Sequence, residues 1–155
     1  MSRMVLAEQA HIINALAPVD INGGVNSAVW SMKNAAHATI IIKLGVTGAA
    51  STVTVQECDD FTPSASTAIG FSYYAEDTAS GDQLDDRATV ENTGFATSTN
   101  NGIFYVIEID AEQLTEGYPC LRVCFSNPGQ STFADVTVVL TGYAYQGKSQ
   151  VTEIA

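Results

Sequence analysis

The stretch 103-IFYVIEIDAEQLTEGYPCLRVCFSN-127 decides the fold, because two apolar runs flank a short polar connection in it. In the second run, Leu121, Val123 and Phe125 alternate with other side chains, so that every second residue points to the same face. Valine, isoleucine, phenylalanine and tyrosine suit a pleated surface that is buried on one side. The two runs therefore predict a pair of β-strands.

The connection between these runs carries the signals of a short helix. Asp110 stands at the N-cap position and Gln113 follows three residues later, which is the spacing of a capping box. Gly117 comes where such a helix would end, since glycine readily adopts the conformation that stops a helix. The sequence thus predicts one short helix between the two strands.

Four further runs have the same composition, and Gly, Pro, Asn, Asp and Ser cluster between them as turn residues. In one of these runs, Val53 and Val55 share a face. Short strands without a regular alternation of helices predict an all-β fold, namely a single-domain β-sandwich or jelly-roll-like barrel. The four runs are HATIIIKLGV (37–46), STVTVQEC (51–58), AIGFSYYA (68–75) and DVTVVLTGYAY (135–145).

The two ends of the chain are predicted to lie outside this sandwich. The segment VLAEQAHIINAL suits an amphipathic helix or an extended arm, and Pro18 marks a break after it. An arm is favoured, because these apolar residues precede the first convincing strand. We therefore expect an N-terminal arm at 1–17, the β-sandwich at 18–147 and a C-terminal tail at 148–155.

The charge of the chain is lopsided, with 17 acidic against 6 basic residues and a formal net charge of −11 in 155 residues. Nucleic-acid binding requires clustered Lys and Arg, whereas the basic residues here are scattered. No run reaches the ~18 to 20 apolar residues that span a bilayer. The N-terminus also lacks the continuous apolar core of a secretory signal. The sequence predicts synthesis in the cytoplasm, without nucleic-acid or membrane partners.

The three cysteines allow a structural, a crosslinking or a metal-binding interpretation. In an extended strand Cys120 and Cys124 lie about 13 Å apart, whereas a disulfide needs Cα atoms within about 7 Å. Cys58, His11 and His37 add no paired spacing typical of a zinc site. Small structural residues are the favoured interpretation and no metal site is predicted. Cys58, Cys120 and Cys124 stay candidates for inter-chain thiols.

Signals of catalysis and ligand binding are weak. His37 lies in no motif such as GxSxG, and 17 acids do not single out a catalytic pair for a hydrolase. The acidic stretch EDTASGDQLDD (76–86) lacks the spacing of a calcium loop. We predict no enzyme activity, no catalytic residue and no cofactor. Four aromatic residues are interpreted as core or interface residues, with a sugar-stacking platform as the alternative: Trp30, Tyr73, Tyr74 and Tyr105.

Five segments follow one another in a characteristic order: NALAPVDINGG (14–24), VWSMKNAAHATIIIKLGVTGAASTVTVQE (29–57), FSYYAEDTASGDQLDDRATVENTGF (71–95), GIFYVIEIDAEQLTEGYPCLRVCFSNPGQ (102–130) and VVLTGYAY (138–145). This order resembles a family of small virion structural proteins of tailed bacteriophages. In that family a VTVQ or VTVE strand leads into variable loops, a strand–turn–strand unit follows, and an LTG.AY strand closes the domain. The resemblance covers about residues 14–146.

This resemblance implies a non-enzymatic auxiliary capsid (decoration or cement) protein that binds the outer surface of the major capsid protein lattice. It further implies a homotrimer located on the virion surface. Another head or tail component is the first alternative, and a carbohydrate-binding module displayed on the virion is the second. Acidic loops at 76–91 are expected to face solvent. The expected capsid contact is the apolar arm, through Val5, Leu6, Ile12 and Ile13.

Overall fold

The structure is a computed structural model that describes residues 4–76, 78–79, 81–142 and 152–154. Helical structure in these residues comprises α1 (Leu6–Gln9) and a 3-10 turn at Ala111–Gln113. No helix in the described part is long and apolar enough to cross a membrane. The strands are β1 (His11–Asp20), β2 (Val25–Asn26), β3 (Trp30–Ser31), β4 (His37–Thr47), β5 (Thr52–Cys58), β6 (Ser66–Ile69), β7 (Phe71–Ala75), β8 (Ala88–Val90), β9 (Phe95–Ala96), β10 (Phe104–Asp110), β11 (Cys120–Phe125) and β12 (Thr132–Thr141).

The strands form two antiparallel sheets. Sheet 1 has the order β1-β12-β4-β10-β7-β8, and sheet 2 has the order β2-β11-β5-β6, with β3 also paired to β11 and β9 to β5. Along the chain, β1 lies in sheet 1, β2 and β3 in sheet 2, β4 in sheet 1 and β5 in sheet 2, and β10 to β12 alternate between the sheets again. This alternation is the double-sheet jelly-roll arrangement. The all-β sandwich predicted from the sequence is confirmed.

One hydrophobic core lies between the sheets. On β11, Leu121, Val123 and Phe125 are buried, as their alternation predicted. Ile40 and Ile42 of β4 meet them from sheet 1 and are also buried. Full burial of one such side chain contributes about 1.5–3 kcal/mol, so the inward rows of both sheets hold the sandwich together.

The run AIGFSYYA, predicted as one strand, is two strands that belong to different sheets. β6 pairs with β5 in sheet 2, whereas β7 pairs with β10 in sheet 1. The chain crosses at Gly70, where a Cβ atom would lie 2.9 Å from the carbonyl oxygen of Val90. Only glycine allows the backbones to approach so closely, and this approach accompanies the change of sheet.

Most of the described N-terminal segment is part of the sandwich. Residues 6–9 form α1, but residues 11–20 form β1, an edge strand that pairs with β12. Extended backbone prevails over helix there, because it directs Ile13 and Ala15 into the core. Pro18 is tolerated since an edge strand needs ladder hydrogen bonds on one side only. Residues 11–17, predicted as arm, are therefore strand.

The C-terminal segment 152–154 docks onto sheet 2. Ile154 forms a β-bridge with Trp30, and the N–H of Ser31 donates to the carbonyl oxygen of Glu153 (2.8 Å). Asn34 Nδ2 donates to Glu153 Oε1 (2.9 Å), which satisfies a buried carboxylate. The other residues of the predicted tail, 148–151 and 155, lie outside the described residues.

The connection after β10 and the acidic loop before β8 differ in part from what the sequence predicts. The predicted helix after β10 is a single 3-10 turn, and Gln113 Oε1 accepts from the N–H of Asp110 (2.9 Å), as in a capping box. Residues 81–87 are exposed, as expected of an acidic loop. Glu76 departs from that expectation, because it is buried and its Oε2 accepts from the N–H of Phe104 (3.0 Å). Asp77 lies outside the described residues.

Candidate interaction surface

The outer face of sheet 1 points away from the core, and its centre is apolar. Ile41, Val106 and Val139 lie on three neighbouring strands, and each is partly exposed between buried neighbours. Phe133, near the start of β12, is 43% exposed. Ile41, Val106 and Tyr74 thus form a row across β4, β10 and β7, and on β12 Thr137 lies opposite Ile41, two residues before Val139. We call them the apolar strip: Ile12, Ile41, Tyr74, Phe104, Val106, Phe133 and Val139.

The outer face of sheet 2 is polar by contrast. Thr54 and Gln56 of β5 lie opposite Cys124 and Arg122 of β11. Arg122 donates from Nε to Gln56 Oε1 (2.8 Å) and from Nη2 to Ser66 Oγ (3.2 Å). Polar groups on this face thus bond to one another. The two outer faces therefore differ in the kind of partner they suit.

The N-terminal segment continues the apolar strip at the edge of sheet 1. Met4 is 71% exposed, Leu6 is 42% exposed and Ile12 is 49% exposed, while Val5 is partly exposed. Ile12 lies opposite Val139 on the outer face, which places it within the strip. Ile12 thus belongs to both the N-terminal segment and the apolar strip.

Ile13 corrects the predicted set of contact residues. Its side chain is 3% exposed, because it pairs with Val138 on the inward face of sheet 1 and belongs to the core. Neighbouring residues of a strand point to opposite faces, so Ile12 and Ile13 cannot both contact a partner. Val5, Leu6 and Ile12 keep exposed surface at the positions that the sequence suggested.

A shallow groove lies at one end of the sheet-1 outer face. It has a volume of about 200 Å³ and is lined by Pro18, Lys43, Phe133 and Asp135, among others. Gly45 contributes to its depth, since a Cβ there would lie 3.2 Å from Phe133 Cβ. A partner side chain therefore has a recess to enter beside the exposed ring of Phe133.

A histidine between two carboxylates lies at the opposite end of this face. His37 Nδ1 lies 2.6 Å from Asp110 Oδ1, and its Nε2 bonds to Glu108 Oε2, which also accepts from Thr39 Oγ1 (2.8 Å). Burial alone would lower the pKa of His37, but the hydrogen bonds and charges of Glu108 and Asp110 outweigh it and raise that pKa. The imidazolium form donates from both nitrogens and holds β4 to β10.

Further charges surround the apolar strip. Lys43 Nζ lies 3.6 Å from Asp135 Oδ2. Arg87 Nη2 donates to Ser72 Oγ (2.9 Å) on β7, at the far side of the sheet. Asp20, on β1, lies opposite Phe133 and accepts from Ser131 Oγ (2.6 Å), and these hydrogen bonds lower its pKa. The centre of the strip is thus the apolar row of Ile41, Val106 and Tyr74, with charged residues around that row. Lys43 and Asp135 lie between this row and Phe133.

The cysteines lie on the outer side of sheet 2, and two of them are inaccessible. Cys58 and Cys120 face each other across β5 and β11 as free, buried thiols. Burial raises the pKa of Cys58 to about 11 and also raises the pKa of Cys120. Cys124 is partly exposed, and burial raises its pKa too. Of the three candidate inter-chain thiols, Cys124 alone is open to a neighbouring chain.

The four aromatic residues considered for sugar stacking do not form one exposed platform. Trp30 is fully buried and Tyr105 is buried, with its hydroxyl oxygen accepting from the N–H of Ser98 (2.7 Å). Tyr73 stacks on Phe95 with ring centroids 4.1 Å apart inside the sandwich. Tyr74 points to the opposite side and belongs to the apolar strip. These rings serve packing rather than a shared sugar site.

Sequence reasoning missed the apolar strip, although a signal for it was present. In HATIIIKLGV and in GIFYVIEI the residues of both parities are apolar, as in Ile40, Ile41 and Ile42. Strands that are buried on both faces have such continuous runs, whereas half-buried strands alternate. The continuous runs therefore marked sheet 1 as a sheet with an apolar outer side.

Within residues 4–76, 78–79, 81–142 and 152–154, no group of three or more His, Cys, Asp or Glu side chains is arranged to hold a metal ion. Comparison with known proteins gives no matching family model and no matching curated protein.

Proposed function

We propose that this chain is a non-enzymatic structural protein of a phage virion, which binds the outer surface of the major capsid protein lattice and stabilises it. The observation that supports this best is the exposure of Met4, Leu6 and Ile12 along the N-terminal segment. Apolar surface gains about 25 cal/mol per Å² when a partner removes it from water. A cluster of such side chains, as opposed to single ones, marks an interaction site.

The sandwich fixes the position at which this segment joins it. Ile12 belongs to β1, whose pairing with β12 sets the direction of its side chain. Only the residues before β1 depend on a partner for additional contacts. Because Ile12 lies on a paired strand, less conformational entropy is lost when it binds a partner, which favours affinity.

Assembly as a homotrimer on the capsid surface is part of the proposal and derives from the sequence resemblance. Jelly rolls occur in viral capsid domains and in lectins, so the fold agrees with both candidate classes and does not decide between them. The burial of Trp30 and Tyr105 removes the aromatic platform that a carbohydrate-binding module would use. A head–tail or tail component is the alternative location, because the same surface would suit a tail subunit.

The proposal is tested with capsid shells that lack this protein. Purified chain is mixed with the shells, the shells are sedimented, and the bound copies per shell are counted. We expect saturation at a copy number set by the capsid symmetry, together with a higher shell melting temperature. Absence of binding to shells, with binding to purified tails, would move the protein to the tail.

Truncation then locates the contact. Deleting residues 1–9 removes the exposed segment with α1 and keeps both the buried Ala10 and β1, whereas a longer deletion would reach the core at Ala10 and Ile13. We expect this truncation to fold and to lose most of its shell binding. Leu6→Ser should weaken binding about tenfold, as expected for an apolar anchor.

A matched control is available at the other edge of sheet 1. Leu84, in the exposed loop before β8, is 44% exposed, nearly the same as Leu6 at 42%. Leu84→Ser should leave shell binding unchanged. Equal binding by the truncated and the full chain would remove the N-terminal segment from the proposal.

A further inference from the structure

The apolar strip is more extensive than the N-terminal segment, and it requires its own explanation. Ile41 and Val106 pair on the outer face of sheet 1 and lie outside the core, and Tyr74 lies opposite Val106 on the next strand. On β12 the partner of Ile41 is Thr137, which lies two residues before Val139. β-branched side chains suit a strand whether or not they are covered, so strand propensity alone would be met equally by threonine. The unbroken row of Ile41, Val106 and Tyr74 therefore indicates a covered surface.

We propose that the sheet-1 outer face is a docking surface for a partner with an apolar centre and a margin of Lys and Arg. The inference rests on the proposed function, in which the partner is the capsid lattice, and it deepens that function by naming a second contact area and its chemistry.

The size of the face supports one interface that includes the N-terminal segment. Strands about 4.8 Å apart with a rise of about 3.3 Å per residue give the six-stranded face an area on the order of 600 Å². A stable interface buries about 800 Å² on each partner. The face is therefore of the same order of size as one such interface, and Met4, Leu6 and Ile12 add further exposed apolar side chains.

The charged residues around the apolar strip favour a basic partner over a second copy of this chain. Around the strip lie four acidic residues (Asp20, Glu108, Asp110 and Asp135) and two basic ones (Lys43 and Arg87). The surplus is two negative charges when His37 is neutral and one when it is the imidazolium. A second copy would present the same acidic surplus on a chain of net charge −11. Like charges facing each other across an interface cost free energy, whereas a basic margin also speeds association.

The apolar part is tested by a triple variant, Ile41→Thr with Val106→Thr and Val139→Thr. Threonine keeps the branched shape and the strand preference but places hydroxyls on the contact. We expect a folded protein with about 100-fold weaker shell binding, from roughly 1 kcal/mol at each position. The matched control, Ile41→Val with Val106→Ile and Val139→Ile, should bind like wild type.

The charged part is tested by Asp110→Lys and by salt. Binding of the wild type should weaken between about 0.05 and 0.5 M NaCl, as expected for partly exposed charges. Asp110→Lys should bind more weakly and show a smaller salt dependence. Asp60→Lys makes the same change in net charge after β5 of sheet 2 and should behave like wild type.

The outcomes separate this inference from the proposed function. If the wild type binds shells and the threonine variant binds equally well, the docking surface is overturned and the proposed function stands. If binding is insensitive to salt and to Asp110→Lys, the basic partner is overturned. If the free chain is an oligomer that the threonine variant dissociates, the face is a self-contact. Failure of the wild type to bind shells overturns both.

Discussion

The two outer faces of the sandwich are built on strands of the same kind, yet they carry opposite chemistry. Both sheets bury aliphatic side chains inward, such as Ile42 on β4 and Val55 on β5. Outward, β4 presents Ile41 between Thr39 and Lys43, with Val106 opposite Ile41 on β10, whereas β5 presents Thr54 and Gln56. A sheet that is covered on one side needs alternation only, and sheet 2 follows that rule. Sheet 1 carries additional apolar side chains on its outer face. The core does not require them, because they lie on the side that faces away from it.

The largest effect expected from this comparison is on the inward side. Ile42→Ala should lower the free energy of unfolding by about 2–5 kcal/mol, because it leaves a cavity in a fully buried site. Ile41→Ala, one residue away, should cost less than about 1 kcal/mol. Urea denaturation of both variants measures the difference. Equal losses would mean that the outer face of sheet 1 is already covered within a single chain.

The next effect is a difference in reaction rate among the thiols of sheet 2. The pKa of Cys58 is about 11 against an ordinary 9.0, so its thiolate fraction near pH 8 is lower by about 100-fold. Iodoacetamide should therefore label Cys124 first, and Cys58 and Cys120 only when the chain unfolds. Mass spectrometry of a labelling time course gives the order. A non-reducing gel should show monomers once Cys124 is replaced by serine.

The smallest effect concerns pH at the margin of sheet 1. The raised pKa of His37 means that its contribution to stability is fully present below about 6.5 and is lost as the pH rises through the folded-state pKa. Between pH 6 and 8 the melting temperature of the wild type should therefore fall more than that of His37→Gln, by an amount on the order of 2 °C. Glu108→Gln should also flatten the profile, since it removes a partner of the imidazolium. Parallel profiles for all three proteins would show that His37 is not coupled to folding.

Local patterns predicted the strands well, because the alternation of apolar residues is visible within a few neighbouring positions. The inward row of Leu121, Val123 and Phe125 and the inward pair of Val53 and Val55 are examples. β1 was missed because its apolar residues suit helix and strand alike, and the choice depends on β12, more than a hundred residues away. Hydrophobic periodicity is read within a short window of sequence, so it does not detect pairing between strands this far apart.

The candidate surface was predicted in part for a similar reason. Exposure of Leu6 and Ile12 agrees with the residues chosen from the N-terminal segment, whereas Ile13 points inward. Whether a residue faces the partner or the core follows from the register with β12, which the sequence does not state. The crossing at Gly70 shows the same limit, since a single run supplies strands to both sheets.

The place of β12 between β1 and β4 has a consequence for how the chain is made. Translation at about 5–20 residues per second takes roughly 10 to 30 s for a chain of this length, and the domain emerges from its N-terminus. During that time β1 and β4 have both left the ribosome, while the strand that joins them has not. Each exposes a row of backbone groups that can pair with a neighbouring nascent chain. Sheet 1 therefore closes only after residues 132–141 emerge, and the slowest step of folding should be the insertion of this last strand.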